Sequence, residues 1–207
     1  MIWAILAGYL IGSIPSADAI ARRRGHDLRS SGSGNPGTAN ALRIAGRTTA
    51  AVVLVVDIAK GALAFMAGSA LASTGGAIGA GIAAIAGQVL NPWFRFSGGK
   101  GLGVAAGITL AAWPPGVLIT LPFALLGAKY IRAAAGALLG LISYQIGAIV
   151  WATSDSSTWW GVPPDDRLCW MAIGVVTLTA PKFVADLFDR QPPDHRGVTE
   201  STQPSSR

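Results

Sequence analysis

Residues 31–43 read SGSGNPGTANALR, a small, polar, glycine-rich stretch that ends in an arginine and lies between two apolar stretches. We call it the first glycine segment. The second glycine segment, residues 96–101, reads FSGGKG and has the same character, with glycines around one cation. Glycine backbone lets several N–H groups converge on one point, and an adjacent cation completes a site for an anion. The two segments therefore predict a phosphate site, provided that the fold brings them together on one membrane face.

The composition around these segments indicates a membrane protein. The chain has 207 residues, of which 51% are hydrophobic and only 13% are charged, about half the charged fraction of an ordinary soluble domain. The net charge of +6 comes mainly from arginines between or after apolar runs, which is typical of cytoplasmic membrane loops. The aromatic and basic residues are not interleaved as in an RNA-binding sheet. We therefore expect a lipid bilayer as partner and no nucleic acid.

Seven apolar runs predict an all-α, polytopic integral membrane protein with about seven transmembrane helices. The runs cover residues 1–21, 48–72, 76–92, 101–113, 117–129, 133–153 and 168–188. About 20 helical residues cross the hydrocarbon, so the fourth and fifth runs are short for a crossing. We expect one transmembrane domain over residues 1–188. Residues 189–207 contain little that could bury apolar surface and predict a disordered cytoplasmic tail.

The basic residues also predict the orientation. The connections after the first, third and fifth runs carry Arg or Lys, and the tail after the seventh run adds Arg190 and Arg196. The connections after the second, fourth and sixth runs carry none until Arg167. By the positive-inside rule, the N-terminus lies outside, the C-terminus lies in the cytoplasm, and both glycine segments lie on the cytoplasmic face of the plasma membrane.

Polar residues interrupt two of the runs. Residues 12–18 read GSIPSAD; either small residues let helices pack closely there, or the stretch borders a polar cavity, which Asp18 favours. Asp57 and Lys60 lie three residues apart on one face of the second run, where they can pair. Charges at that depth are candidates for function. The alternative is a neutralised pair that only fixes packing.

Several common chemistries lack the residues they need. Cys169 is the single cysteine and lies in an apolar run, which excludes a disulfide framework and a cysteine metal cluster. His26 and His195 lie outside both glycine segments. No His, Asp and Glu set has metal-ligand spacing, and neither a Walker loop nor a nucleophile elbow is present. We expect no cofactor and no metal.

These motifs resemble those of the bacterial acyl-phosphate:glycerol-3-phosphate acyltransferases of the PlsY type. The similar stretches are residues 12–15, residues 32–40 with Arg43, residues 57–61 (DIAKG) and residues 87–101. Their order and spacing match that family over about residues 1–188.

The resemblance implies transfer of an acyl group from acyl phosphate to the 1-hydroxyl of glycerol 3-phosphate, giving lysophosphatidic acid, without coenzyme A or a metal. It also implies a soluble partner enzyme that produces acyl phosphate. Carried over by position, Ser33, Arg43 and Lys100 are the catalytic phosphate and substrate contacts. The supporting substrate-binding residues are Gly32, Gly34, Asn35, Gly37, Thr38, Asn40, Lys60, Gly98, Gly99 and Gly101.

Two departures from the family pattern affect the acceptor. Gln88 stands where the second signature has a histidine, and the stretch to Pro92 is one residue longer. Residues 180–187, APKFVADL, contain neither the histidine nor the asparagine of the last signature. We therefore expect an intact donor half of the site and an altered acceptor half.

Other functions stay open at this point. A divergent family member with another acceptor, or with a non-catalytic membrane role, fits these two departures. A transporter of phosphorylated solutes also needs cationic glycine loops, although transporters often show two similar halves and none is evident here. A purely structural membrane protein leaves Asp57 and Lys60 unexplained.

The acyltransferase hypothesis is compatible with a scarcity of bases. Acyl phosphate is already activated, so the enzyme must mainly stabilise negative charge on the phosphate and the carbonyl oxygen. The motifs contain no side chain suited to accept the proton of the attacking hydroxyl. We expect a substrate phosphate to take it.

Overall fold

The computed structural model describes residues 1–154 and 161–188, and every regular element in them is helical. The elements are α1 (Ile2–Ser13), α2 (Ser16–Arg22), α3 (Thr38–Val89), a 3-10 turn (Pro92–Phe94), α4 (Leu102–Ala112), α5 (Pro115–Tyr130), α6 (Ala133–Ala152) and α7 (Asp166–Phe188). The all-α prediction is confirmed. The predicted tail, residues 189–207, lies outside the described residues.

The long helix α3 is broken twice. Gly46 has a φ of 81°, and Ala72 and Ser73 both leave the helical region. The chain reverses at Ala72 and Ser73. The distance between the flanking stretches shows this reversal, since a Cβ built on Gly68 would lie only 2.3 Å from the carbonyl oxygen of Gly76. Residues 47–71 and 74–89 are therefore two antiparallel arms, and they match the second and third apolar runs.

The other apolar runs also coincide with helices. The first run is split between α1 and α2 at Ile14 and Pro15, as expected of a proline that cannot donate to the helical ladder. Within residues 1–154 and 161–188, four helical segments are long and apolar enough to cross a membrane, and α4 and α5 are shorter apolar helices. The chain is a membrane protein; seven crossings stay a prediction.

Small residues let the helix backbones approach closely. A Cβ on Gly12 of α1 would lie 2.0 Å from the carbonyl oxygen of Ala84 in the second arm of α3. A Cβ on Gly61 in the first arm would lie 2.0 Å from the carbonyl oxygen of Val104 in α4. Close contacts between small residues are how helices pack in lipid, where apolar surface gains nothing by leaving the solvent. Many large apolar side chains remain exposed and form the lipid-facing surface.

The basic connections after the first, third and fifth apolar runs share one end of the bundle, as the charge pattern predicts. At one end, which we call the loop end, the two glycine segments adjoin the α5–α6 connection and the last turn of α7, where Arg132 donates to the carbonyl oxygen of Leu187. At the other end, the N–H of Val162 donates to the carbonyl oxygen of Ala112 at 2.8 Å. The predicted outside N-terminus and cytoplasmic C-terminus stay predictions.

Candidate active site

Asn40 holds the first glycine segment in shape. Its side chain is buried, with the residue only 2% exposed, and its Oδ1 accepts a hydrogen bond from the N–H of Ser33 at 3.0 Å. Its Nδ2 donates to the carbonyl oxygens of Leu28 and Ser31 at 2.8 and 3.0 Å. These bonds to loop backbone favour a positioning role for Asn40 over direct contact with a substrate.

Gly32 packs directly on that amide, with a φ of +64° and a hypothetical Cβ 2.2 Å from Asn40 Oδ1. We expect Gly32→Ala to displace Asn40, to lower Tm and to reduce activity, because alanine adds a collision to the strain of about 1–3 kcal/mol that a positive φ imposes. Gly25→Ala is the matched control, since Gly25 has a φ of +79° and no atom within 4 Å of a built Cβ. Thermal unfolding and the acyl-transfer rate measure the difference, and equal losses in the two variants would contradict the role of Asn40.

The other polar side chains of the first glycine segment have no partner in the described part of the protein that would keep a ligand away. Among residues 1–154 and 161–188, the side chains of Ser33, Asn35, Thr38 and Arg43 form no hydrogen bond or ion pair. α3 begins at Thr38, and its N-cap Gly37 provides no side-chain cap. The free N–H groups of a helix start attract anions. Together with Gly34, whose φ is +68°, these groups form a surface suited to a phosphate.

The second glycine segment is fixed by its glycines. A Cβ on Gly98 would lie 2.1 Å from the carbonyl oxygen of Gln88, and the N–H of Gly98 donates to the carbonyl oxygen of Val89 at 3.0 Å. Gly101 has a φ of +81° and is the N-cap of α4. The segment is thus held against the end of the second arm of α3 and leads directly into α4.

The two glycine segments meet at the loop end. A Cβ built on Gly99 would lie 3.3 Å from the carbonyl oxygen of Pro36. Next to this contact, the guanidinium carbon of Arg29 lies 4.2 Å from the ring centroid of Phe94. The convergence expected from the sequence is confirmed.

Lys100 reaches the end of α7. Its ammonium pairs with the carboxylate of Asp186 and lies 5.0 Å from the ring centroid of Phe183. Lys182, one turn earlier than Asp186, donates to the carbonyl oxygen of Gly98 at 2.5 Å. The sequence reasoning missed Lys182 and Asp186, although two charges spaced i, i+4 within an apolar run signal a contact of this kind.

Lys60 and Asp57 form a buried network beneath the second glycine segment. They are 5% and 4% exposed, and Lys60 Nζ lies 3.1 Å from Asp57 Oδ1. Lys60 Nζ also donates to Gln88 Oε1 at 2.7 Å and to the carbonyl oxygen of Ile14 at 3.0 Å, so its three hydrogens are in use. The hydroxyl of Ser16 donates to Asp57 at 3.1 Å. This geometry favours the packing alternative for the pair, and a substrate contact of Lys60 stays a prediction.

Asp27 anchors the start of the basic loop. Its Oδ1 accepts hydrogen bonds from the N–H groups of Arg29 and Ser30 at 2.9 and 3.3 Å. The bond from Arg29 is the main reason that the pKa of Asp27 lies below its usual value. A depressed folded-state pKa means that the anchor is fully present above the ordinary Asp pKa of about 3.9 and is lost only as pH falls through the lower folded-state value.

An apolar groove runs from the second glycine segment along α4. It has a volume of about 220 Å³. Its lining residues are Leu102, Ala105, Ala106, Thr109, Val117, Thr120, Leu121, Ala124, Leu141, Tyr144 and Val175. Leu102 comes two residues after Lys100, and Thr109 lies two turns of helix further on, or about 10 Å. At that depth the hydroxyls of Thr109 and Tyr144 are 3.2 Å apart.

The fold and this site define a helical membrane protein with an anion-binding surface at one end and an apolar groove beside it. Comparison with known proteins agrees. The sequence model of the glycerol-3-phosphate acyltransferase family matches residues 2–185. The glycerol-3-phosphate acyltransferase of Synechococcus sp. (strain JA-2-3B'a(2-13)) is 40% identical over 154 residues, which cover 73% of this chain and 76% of that protein. The chain belongs to the glycerol-3-phosphate acyltransferase family.

Other relatives agree in sequence and in fold. The glycerol-3-phosphate acyltransferase of Pseudomonas paraeruginosa (strain DSM 24068 / PA7) is 39% identical over 155 residues, covering 73% of this chain and 82% of that protein. The fold is similar to the crystal structure of PlsY (YgiH), an integral membrane glycerol 3-phosphate acyltransferase, in its glycerol 3-phosphate form. The TM-score is 0.76 at 25% identity, over 90% of this chain and 89% of that chain. The lysophosphatidic acid form of the same protein gives a TM-score of 0.77 at 24% identity, over the same shares.

Proposed function

We propose that this protein transfers an acyl group from acyl phosphate to the 1-hydroxyl of glycerol 3-phosphate, releasing lysophosphatidic acid and inorganic phosphate. The observation that carries the proposal is the contact between the two glycine segments, at Pro36 and Gly99. This contact brings together two cation-bearing segments, one ending at Arg43 and the other containing Lys100. Family membership, and the glycerol 3-phosphate and lysophosphatidic acid forms of the similar structure, support the acceptor and the product.

The donor fits the chemistry of the site. In an acyl phosphate the leaving group is phosphate, so the transition state places negative charge on the phosphate and on the carbonyl oxygen. Open N–H groups at the start of α3, the unpaired side chains of Ser33 and Arg43, and the Lys100 ammonium held by Asp186 supply donors and positive charge for these positions. One well-aimed donor contributes about 3–4 kcal/mol to such a transition state. Because acyl phosphate is already activated, this transfer requires neither coenzyme A nor a catalytic nucleophile.

The apolar groove suits the acyl chain of the donor. It starts beside Leu102, next to the second glycine segment, and is lined mainly by aliphatic side chains. A chain in this groove would remain in the hydrocarbon while its phosphate lies at the loop end. This arrangement lets a membrane-dissolved donor meet a water-soluble acceptor.

The arginine-rich loop end is proposed to lie on the cytoplasmic face of the plasma membrane. Arg22, Arg23, Arg24 and Arg29 are all exposed there, as the positive-inside rule expects. Glycerol 3-phosphate would reach the site from that side. A soluble enzyme that makes acyl phosphate is the proposed partner.

The acceptor is the element that needs the sharpest test. Residues 180–187 lack the histidine and asparagine expected from the resemblance, and this favours a second candidate, an acyltransferase with another phosphorylated alcohol as acceptor. Lys182 of α7, however, donates to the carbonyl oxygen of Gly98 in the second glycine segment. Lys100 of that segment pairs with Asp186 of α7. The two cations support an acceptor that carries its own phosphate.

The test uses the purified full chain in lipid nanodiscs with palmitoyl phosphate. Phosphate release is followed with and without glycerol 3-phosphate, and the lipid product is identified by mass spectrometry. We expect equal amounts of phosphate and lysophosphatidic acid, both dependent on glycerol 3-phosphate. Palmitoyl coenzyme A and glycerol serve as control donor and acceptor. Product formation from palmitoyl coenzyme A but not from palmitoyl phosphate would contradict the proposed donor. Product formation with glycerol but not with glycerol 3-phosphate would contradict the proposed acceptor.

A further inference from the structure

One face of α7 lies against the second glycine segment. Four of its residues have the spacing i, i+3, i+4 and i+7, which places side chains on a single helical stripe. They are Thr179, Lys182, Phe183 and Asp186. A Cβ built on Gly101 would lie 3.4 Å from Thr179 Cγ2, and the other three side chains contact Gly98 or Lys100. This face of α7 therefore supports the segment that carries Lys100.

Lys182 restrains the backbone of that segment. Its ammonium donates to the carbonyl oxygen of Gly98 at 2.5 Å and to that of Val89, the last residue of α3, at 3.4 Å. One cation thus ties the segment to the end of α3. Because glycine backbone is conformationally permissive, this bond restricts the peptide that leads through Gly99 to Lys100.

Asp186 and Phe183 restrain the ammonium of Lys100 without using all of its hydrogens. The ammonium pairs with Asp186 and lies 5.0 Å from the ring centroid of Phe183. It has three hydrogens, and within residues 1–154 and 161–188 Asp186 is its one hydrogen-bond partner. The Lys100 side chain is 26% exposed, against 6% for Lys60, whose hydrogens are all in use. Two hydrogens of Lys100 therefore remain for an anion.

We propose that Lys182 and Asp186 are positioning residues for Lys100; the inference rests on the proposed function. Asp186 holds the flexible lysine side chain where its ammonium meets the phosphate of the donor. Lys182 holds the backbone from which that side chain extends. A charge that is fixed before the reaction contributes most to the transition state, because it needs no reorganisation as the phosphate departs. Neither positioning residue has to touch the substrate.

The test uses two substitutions that change the local charge in opposite directions. Asp186→Asn removes a negative charge and Lys182→Met removes a positive one, each in the full chain in nanodiscs with palmitoyl phosphate and glycerol 3-phosphate. We expect both to lower kcat at saturating substrates by about 10²-fold, the loss that a misplaced catalytic group causes. A charge effect alone would raise the rate in one variant and lower it in the other. Tm of Asp186→Asn should stay near the wild-type value, because partly exposed ion pairs contribute little to stability.

A double variant and a control variant complete the test. In the Lys100→Ala protein, the further change Asp186→Asn should cost less than about threefold, because Asp186 acts through Lys100. Arg132→Met is the matched control, and it should retain most of the activity. Arg132 also donates to α7, at the carbonyl oxygen of Leu187, but among the described residues it has no hydrogen bond to the second glycine segment.

The outcomes separate the inference from the proposed function. A wild-type protein without transfer to glycerol 3-phosphate removes the proposed function itself. With an active wild-type protein, opposite changes of kcat in the two single variants, or a kcat of Asp186→Asn within about threefold of wild type, overturn the inference alone. A full loss from Asp186→Asn in the Lys100→Ala protein also overturns it, because Asp186 would then act independently of Lys100. A loss of kcat that follows a fall in Tm does so as well, since it assigns the residue to folding.

Discussion

Lys100→Ala is expected to lower kcat for acyl transfer by about 10²–10³-fold, the loss that follows removal of one preorganised donor to a developing oxyanion. Lys100 is the cation of the second glycine segment, and the glycines on either side allow a phosphate to approach its backbone. Its pairing with Asp186 holds the ammonium at the loop end. Initial rates of phosphate release and of lysophosphatidic acid formation measure the loss.

Arg95→Ala is the control for Lys100→Ala. Arg95 is also cationic, lies five residues earlier and is exposed, so it changes the net charge of the same loop by the same amount. We expect it to retain most of the activity. Equal losses in the two variants would show that general electrostatic attraction at the loop end, and not a specific contact of Lys100, accounts for the effect.

Lys60→Met is expected to destabilise the protein by about 3–5 kcal/mol, the cost of leaving one member of a buried ion pair without its partner. Asp57 would retain only the hydroxyl of Ser16, and Gln88 Oε1 would lose its donor. Thermal unfolding in detergent micelles gives the effect. The double variant Asp57→Asn/Lys60→Met removes both charges, and we expect it to recover part of the loss.

The same double variant separates the two interpretations of this pair. If Lys60 only supports the helices, the folded double variant should transfer acyl groups at a rate close to wild type. A folded double variant that has lost transfer activity would instead assign Lys60 to the substrate. A single variant Lys60→Met as stable as wild type would contradict the buried network.

Much of the fold follows from local patterns. Each apolar run became a helix because helix is the structure that satisfies its own backbone in lipid, and Pro15 ended the first helix as its missing N–H requires. The charge pattern predicted that the basic connections share one end, whereas the contact of the two glycine segments at Pro36 and Gly99 is seen only in the folded chain. The order of the basic loops predicts which connections share an end without any knowledge of side-chain packing.

The remaining features depend on contacts between distant residues. The reversal at Ala72 and Ser73 lacks a turn signature of proline or glycine at those positions, and Gly68 packs on Gly76 where the two arms meet. The partners of Asn40 are backbone carbonyls, which a sequence motif does not distinguish from a substrate. These contacts exist only once the helices are assembled.

The acceptor half of the site shows the same limit. Residues 180–187 lack the histidine and the asparagine that the family pattern has there. In the folded chain, Lys182 reaches Gly98 and Asp186 reaches Lys100, so α7 does contribute charged groups to this end. Asp18, which sequence reasoning could place only near a cavity, lies at the junction of the two segments.

The central claim is that the two glycine segments bind one anion between them. A double-mutant cycle with Ser33→Ala, Lys100→Ala and the combined variant tests it most directly, with kcat/KM for palmitoyl phosphate as the readout. Groups that share one partner are coupled, by about 0.5–3 kcal/mol, whereas independent sites add within about 0.5 kcal/mol. We predict a combined loss clearly different from the product of the two single losses. Losses that simply multiply, in variants with unchanged Tm, would contradict a shared anion and with it this account of the site.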